Sequence, residues 1–205
     1  MMFFSGMVLG KNEDSATHVI IKKRLKNVKK QYHLEDIMRF PPGTGYSEIE
    51  SHIIKTYNDR KFIINKRVFS QDRRPAKSVR MYPTVIAGFT GTDTTRIDAL
   101  RKKKIPVEGI AVYDEKKWRK EEYGQICLGN NYYVPGGELL RNLVRVFQQG
   151  RLVIEDHIPF AELLSSELTH LSLTEKLSET KHTGIISALS LPVWFCENIR
   201  VIRRY

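Results

Sequence analysis

Alternating and continuous runs of apolar residues in the first forty positions predict three strands. Residues 1–10 contain a short apolar run without a basic leader, so we interpret it as a first strand rather than a secretion signal. Alternation of apolar and polar residues predicts a second strand at 17–25. The lysine-rich stretch 28–39 is predicted to pair with it as a third strand.

Helical spacing then alternates with compact apolar runs along the rest of the chain. Ser47 is predicted to cap a first helix, because Ile49, Ile53 and Tyr57 recur at helical spacing after it. The later elements are a buried parallel strand at 84–88, a helix at 92–104, a strand at 107–113, a helix at 137–149 stopped by Gly150, a strand at 152–154, a helix opened by Pro159 and a closing helix at 184–199. This order predicts a mixed α/β sheet flanked by helices.

Length and composition indicate one soluble globular unit. The chain has 205 residues, which is enough for one domain with a sizeable core, and we expect 1–205 to form a single domain. Residues 58–81 and 114–131 are charged and lack periodicity, so they are predicted to be irregular insertions. No stretch approaches the ~18 apolar residues of a membrane helix, and no membrane partner is expected.

The charge balance favours a polyanionic partner. The chain has 34 Lys and Arg against 23 Asp and Glu, a formal net charge of +11, and phosphates neutralised by such cations release counterions. A solvated basic face is the alternative interpretation. Trp118 lies inside one basic run, where it is placed either to stack on a base or to pack under its own loop. The candidate nucleic-acid-binding residues are Lys22, Lys23, Arg24, Arg73, Arg74, Lys116, Lys117, Trp118, Arg119 and Lys120.

The two cysteines form neither a metal motif nor a disulfide framework. Cys127 and Cys196 stand alone in the sequence, which favours a reducing, intracellular compartment and two small buried side chains. No stretch matches Gly-x-x-x-x-Gly-Lys-[Ser/Thr], the phosphate-cradling loop of ATPase domains.

The most informative stretch lies near the C-terminus, where residues 182–191 are His-Thr-Gly-Ile-Ile-Ser-Ala-Leu-Ser-Leu. This stretch resembles the closing helix of the nuclease domain in phage large terminases, which is roughly His-x-Asp-Leu-Val-Asp-Ala-Leu-Ala-Leu-Ala. The apolar positions match. The two acidic positions are occupied by Gly184 and Ser187.

Three further anchors extend the resemblance over most of the chain. Residues 6–16 are similar to the family's opening strand and turn, with Val8 at the position of a metal-binding aspartate. Residues 85–91 look like its second catalytic strand, with Gly88 in place of the aspartate. Residues 134–152 keep a structural frame of Val-Pro, Glu-Leu and Gly-Arg-Leu. The resemblance implies an RNase H-like fold, a mixed central sheet flanked by helices.

The same resemblance implies metal-dependent cleavage of nucleic acid, but this chain lacks acidic residues at the matching positions. RNase H-like nucleases hold two divalent metals about 3.5–4 Å apart, and Mg²⁺ prefers carboxylate oxygens. The four matching positions Val8, Gly88, Gly184 and Ser187 offer one hydroxyl and no charge. We therefore predict no catalytic residues, no bound metal and no cofactor: a catalytically degenerate domain, a pseudoenzyme of phage or prophage type. Its expected partners are DNA or a phage packaging or assembly protein, in the cytoplasm of a bacterial host or associated with the virus.

Two alternatives stay open from the sequence. The first is an active Mg²⁺- or Mn²⁺-dependent DNA endonuclease that uses displaced acids, for which Asp14, Asp93 and Glu197, with His182, are the nearest groups. The second is a structural or assembly module that does not bind DNA. Ser166 with Glu167 and His170 on one helical face is interpreted as an ordinary helix surface, because no nucleophile elbow surrounds these residues. No ligand spacing supports a zinc site at His52, His157 and His182.

Overall fold

The computed structural model describes residues 1–8, 16–27, 29–68, 77–89, 94–113, 131–173 and 184–199. Within these ranges the strands are β1 (Met2–Val8), β2 (Thr17–Lys26), β3 (Lys29–Arg39), β4 (Ile64–Val68), β5 (Lys77–Met81), β6 (Thr84–Phe89), β7 (Val107–Tyr113), β8 (Asn131–Pro135) and β9 (Leu152–Val153). The helices are α1 (Tyr46–Asn58), α2 (Thr95–Lys102), α3 (Gly136–Gln148), α4 (Ala161–Leu173) and α5 (Gly184–Asn198), with a 3₁₀ turn at Arg60–Phe62.

The main sheet has seven strands in the order β8-β7-β6-β1-β2-β3-β9. Strands β8, β7, β6 and β1 run parallel, while β1, β2 and β3 are antiparallel neighbours. The predicted mixed α/β sheet is therefore confirmed. The apolar runs of β6 and β7 follow from this arrangement, because strands covered by helices on both faces bury successive side chains.

Two hydrophobic clusters fill the two faces of this sheet. One contains Phe4 of β1 and Ile86 of β6 together with the buried residues of α3, α4 and α5. The other contains Met7 and Val85 with the inner residues of α1 and α2. Since successive side chains of a strand point to opposite faces, even-numbered positions of β1 and β6 face α5 and odd-numbered positions face α1 and α2.

Helix α5 lies at the centre of the larger cluster. Every residue from Ile185 to Cys196 except Ser187 is buried, because the sheet, α3 and α4 surround the helix. A helix that is apolar on all sides is stable only in such a buried position. Among the described helices, none has both the length and the apolar character needed to cross a membrane.

A glycine in β1 allows α5 to approach the sheet closely. A Cβ atom on Gly6 would overlap the backbone oxygen of Ala188 and would lie 2.5 Å from Cδ of Pro192. Pro192 has no N–H to donate to the carbonyl one turn earlier, which belongs to Ala188. The helix therefore presents this carbonyl directly to the Gly6 backbone, where any larger residue would interfere.

Two predicted helix starts are wrong. Ser47 does not cap α1: the N-cap is Gly45, and Ser47 lies in the first turn. Pro159 does not open α4, which begins at Ala161. The reason is local, because Phe160 has a left-handed backbone with φ of +64° and therefore cannot continue a helix from Pro159.

The stretch predicted to be irregular at 58–81 contains regular structure. Strands β4 and β5 form an antiparallel hairpin, with Ile64 opposite Met81, while residues 69–76 lie outside the described part. Strand β8 was not predicted, because its five residues Asn131–Pro135 directly follow the charged stretch. The rest of that stretch, residues 114–130, also lies outside the described part.

A charged cluster holds the C-terminal end of α5. Arg151 donates two hydrogen bonds to the Glu197 carboxylate, at 3.0 and 2.9 Å, and the Tyr32 hydroxyl donates another. The ammonium groups of Lys23 and Lys30 donate to the Cys196 carbonyl oxygen at 3.3 and 2.9 Å. Cations at this position satisfy unpaired helix carbonyls and interact favourably with the helix dipole.

The Glu197 cluster predicts a stability loss at low pH. Burial alone would raise the pKa of Glu197, but the hydrogen bonds from Arg151 and Tyr32 outweigh it and lower the pKa to about 2. A carboxyl with a depressed folded-state pKa stabilises the protein above its unfolded pKa of about 4.3, and this contribution is lost as the pH falls towards 2.

We expect Glu197→Gln to destabilise the protein by about 1.5–3 kcal/mol at pH 7, since it removes charge-assisted hydrogen bonds. The difference between wild type and variant should shrink as urea unfolding is repeated from pH 5 down to pH 2. Glu48→Gln, on the exposed surface of α1, is the matched control and should change little. A constant difference across this pH range would contradict the assigned role of the carboxylate.

Candidate functional site

Four positions lie side by side across adjacent strands at one end of the sheet. Gly88 of β6 is opposite Val8 of β1, Val8 is opposite Thr17 of β2, and Thr17 is opposite Arg39 of β3. We call these residues the edge row. The structure thus brings Val8 and Gly88 together at the carboxyl ends of two neighbouring parallel strands. These are the two strand positions at which the terminase motifs have catalytic aspartates.

Helix α5 covers the edge row from the face that Val8 and Gly88 share. A Cβ atom on Gly88 would lie 2.9 Å from Cδ1 and 3.2 Å from Cδ2 of Leu191, so the leucine side chain occupies the space above this glycine. Gly184 and Ser187 precede Leu191 by seven and four residues, which places them on the same side of α5. Both are half-buried.

The edge row consists of neutral or apolar residues, except for Arg39. The Thr17 side-chain oxygen is buried and makes no hydrogen bond to the described residues. The Arg39 guanidinium carbon lies 5.6 Å from the centre of the Phe160 ring. Hard divalent cations need several oxygen ligands, mostly carboxylates. In the described part of the chain, no group of three or more His, Cys, Asp or Glu side chains is arranged to hold a metal.

Of the groups that the sequence offered as displaced acids or their neighbour, the structure describes only Glu197. Glu197 lies at the opposite end of α5 from the edge row, about 15 Å along the helix axis from Ser187 at 1.5 Å per residue. Its carboxylate is already bound by Arg151 and Tyr32. Asp14, Asp93 and His182 lie outside the described residues.

The structure describes three of the predicted nucleic-acid-binding residues, of which two have polar partners within the protein and one is exposed. Lys22 pairs with Glu35 at 3.4 Å, and Lys23 donates to the end of α5. Burial lowers the pKa of Lys23, and the positive charge of the nearby Lys30 also acts to lower it. Arg24 is exposed. The seven remaining candidates lie outside the described part: Arg73, Arg74, Lys116, Lys117, Trp118, Arg119 and Lys120.

A second polar cluster lies on the opposite face of the sheet. Ser5 Oγ and His18 Nε2 are 2.7 Å apart, and the His18 and His52 rings are in edge contact at 5.4 Å. Burial, and to a smaller extent the neighbouring His52, lower the pKa of His18 to about 3. Ser5 and His18 are 2% and 3% exposed, so no substrate reaches them and we assign the pair a structural role. Sequence reasoning missed this cluster, although both residues stand at inward positions of apolar strands.

Comparison with known proteins supports the fold and nothing finer. No protein-family model matches this chain, and no curated protein matches it significantly. Its structure is similar to the large terminase nuclease from thermophilic phage G20c, with a TM-score of 0.52 and 14% identity over 93% of this chain and 80% of that one. The fowlpox virus Holliday junction resolvase gives a TM-score of 0.41 and 10% identity over 96% and 98%. The predicted fold class, an RNase H-like mixed sheet flanked by helices, is confirmed.

Proposed function

We propose that this chain is a single, catalytically degenerate domain of the terminase-nuclease type that binds nucleic acid without cleaving it. The observation that carries the proposal is the edge row with its covering helix. The fold and the motif order bring Val8 and Gly88 together under α5, yet the side chains at these positions carry no charge. Such a domain would act in a bacterial host cell or in association with a phage.

Loss of metal chemistry is supported by charge and by packing. Two divalent cations about 3.5–4 Å apart repel strongly unless several carboxylates neutralise them. Val8 and Gly88 supply none, and the Leu191 side chain fills the space above Gly88. Apolar packing in this position stabilises the sheet–helix contact, whereas a metal site would need it to be polar and open.

Nucleic-acid binding is supported by the net charge of +11 and by the cations that remain free on the surface. The fold neighbour described as a phage terminase nuclease adds plausibility to a DNA substrate or partner. A module that only contacts packaging or assembly proteins would not need a large positive excess, which is why DNA binding is the favoured form of the proposal.

Two measurements on the same preparation test this proposal. Supercoiled plasmid incubated with Mg²⁺ or Mn²⁺ should stay intact, and a fluorescent duplex should bind with an affinity that falls steeply between about 50 and 200 mM salt. Nicking that requires Mn²⁺ and disappears in Asp14→Asn or Asp93→Asn would favour the endonuclease with displaced acids. Absence of salt-dependent binding would favour the assembly module.

A further inference from the structure

The hairpin of β2 and β3 extends beyond the rest of the main sheet. The pairing of β1 with β2 ends at Met2 opposite Lys23, and β9 contacts β3 only at Tyr32 and His33. Residues 24–27 and 29–31 therefore continue as a two-stranded ribbon without another strand of the described sheet beside them. Asn27 adopts a left-handed backbone with φ of 50° at the turn, a conformation that asparagine tolerates well.

The free cations of this ribbon share one face. Arg24 and Lys26 are two residues apart on β2, so they point to the same side, and Lys29 is directly opposite Lys26. All three are exposed. The sequence contains no acidic residue from Lys22 through Leu34 that could neutralise them. We call Arg24, Lys26 and Lys29 the ribbon cations.

The base of the ribbon is held rigidly by the opposite face. Lys30 donates to the carbonyl oxygens of Cys196 and Glu197 at 2.9 and 3.2 Å, and Tyr32 donates to the Glu197 carboxylate. These contacts fix the hairpin against the end of α5. The ribbon cations are therefore presented from a rigid element, which favours precise recognition over adaptable contact.

We propose that the ribbon enters the major groove of double-stranded DNA and contacts phosphates through the ribbon cations. This inference rests on the proposed nucleic-acid binding and assigns it a surface and a partner. A two-stranded ribbon fits the major groove of B-form DNA, which is about 12 Å wide. The major groove of A-form RNA is deep and narrow and does not admit it. Residues 22–31 contain no aromatic side chain, whereas binding of single strands relies on base stacking.

This surface is separate from the edge row. Thr17 and Lys26 stand at opposite ends of β2, nine residues apart, which corresponds to about 30 Å at 3.3 Å per residue. DNA held on the ribbon therefore needs no contact with the positions that have lost their acids. This separation explains how binding can persist after loss of cleavage.

The test compares two triple variants of the full chain with equal charge change. The first is Arg24→Ala, Lys26→Ala and Lys29→Ala. The matched control is Arg60→Ala, Lys55→Ala and Lys102→Ala, which also removes one exposed Arg and two exposed Lys but lies away from the ribbon. Fluorescence anisotropy measures binding of a duplex DNA, a single strand of the same sequence and the matching duplex RNA at several salt concentrations.

We expect wild type and control to bind duplex DNA more tightly than the single strand or the RNA duplex. The ribbon variant should bind weakly, and its slope of log K against log salt should fall by about 2–3, since each lost phosphate contact removes about 0.9. Equal losses in both variants, or a preference for single strands or RNA, would overturn the ribbon proposal while leaving nucleic-acid binding intact. No binding by the wild type would overturn the proposed function itself.

Discussion

Replacing Gly6 by alanine should destabilise the protein by roughly 3 kcal/mol, the upper end of the range for overpacking a core. The new Cβ atom would overlap the Ala188 carbonyl oxygen and crowd the Pro192 ring. Neither obstacle moves easily, because one is helix backbone and the other is a ring fused to it. For a chain of this size, the loss corresponds to a decrease in Tm of about 6–12 °C. Thermal and urea unfolding followed by circular dichroism would measure it.

Two other glycines provide controls for the Gly6 prediction. Gly88→Ala places a Cβ atom 2.9 Å from Leu191 Cδ1, which is the mobile end of a side chain, so the cost should be smaller. Gly136→Ala meets nothing closer than 3.5 Å, at the start of α3, and should be neutral or slightly stabilising. A Gly6 variant as stable as the Gly136 variant would mean that α5 does not lie this close to β1.

Introducing acids at the four positions that match the acidic positions of the terminase motifs should create a metal-dependent site between the edge row and α5. We expect the combined variant Val8→Asp, Gly88→Asp, Gly184→Asp and Ser187→Asp to be less stable than wild type without metal, because clustered carboxylates in a buried place are costly. Leu191→Ala belongs in the same variant, since the leucine side chain occupies the space that a carboxylate introduced by Gly88→Asp needs. Mn²⁺ at about 100 times its Kd should then return about 2.7 kcal/mol of stability.

The readout of the restored site is the Tm in the presence and absence of Mn²⁺. The gain should amount to about 5–11 °C for a chain of this length. The control carries Asn instead of Asp at the same four positions, together with Leu191→Ala, and should ignore the metal. If the Asp variant also ignores Mn²⁺, the four positions do not converge and the correspondence with the terminase motif is wrong.

The sequence predicts elements best where burial imposes a clear period. Strand β7 has the predicted bounds Val107–Tyr113, and the helix predicted at 92–104 contains α2, which buries Ile97 and Leu100 on one side. Strand β7 is a largely apolar run, and the apolar residues of α2 recur at helical spacing. In each element the pattern can be buried against the rest of the fold in only one way. The closing helix predicted at 184–199 is α5, which spans Gly184–Asn198.

The wrong or missing predictions concern the start of a helix, which a single backbone torsion or capping residue can shift, and a strand too short to show a period. Pro159 is a normal first residue of a helix, but the positive φ of Phe160 postpones α4, and no sequence rule predicts a left-handed phenylalanine. Strand β8 has five residues, and within the described sheet it pairs with β7 alone. Ser47 has a capping side chain, yet Gly45 takes the capping position.

Part of the candidate site could be predicted from the sequence, but from the family resemblance rather than from the period of apolar residues. The pairing of Val8 with Gly88 follows from the motif order of the resembling family and not from periodicity. Thr17 and Arg39 could not be placed beside them, because their position depends on the register of two antiparallel pairs. The cluster around Glu197 joins residues as much as 173 positions apart, as Lys23 and Cys196 are, and the local sequence contains no signal for such contacts.

The order of elements along the chain has a consequence for biosynthesis. Helix α5 is the last described element, and it packs against β1, the first. During translation, at roughly 5–20 residues per second, the faces of β1, β2 and β6 that α5 covers stay open until residues 184–198 have left the ribosome. The nascent chain therefore exposes these apolar strand faces until α5 follows them. Its yield in cells should depend on chaperones that shield those strands until α5 arrives.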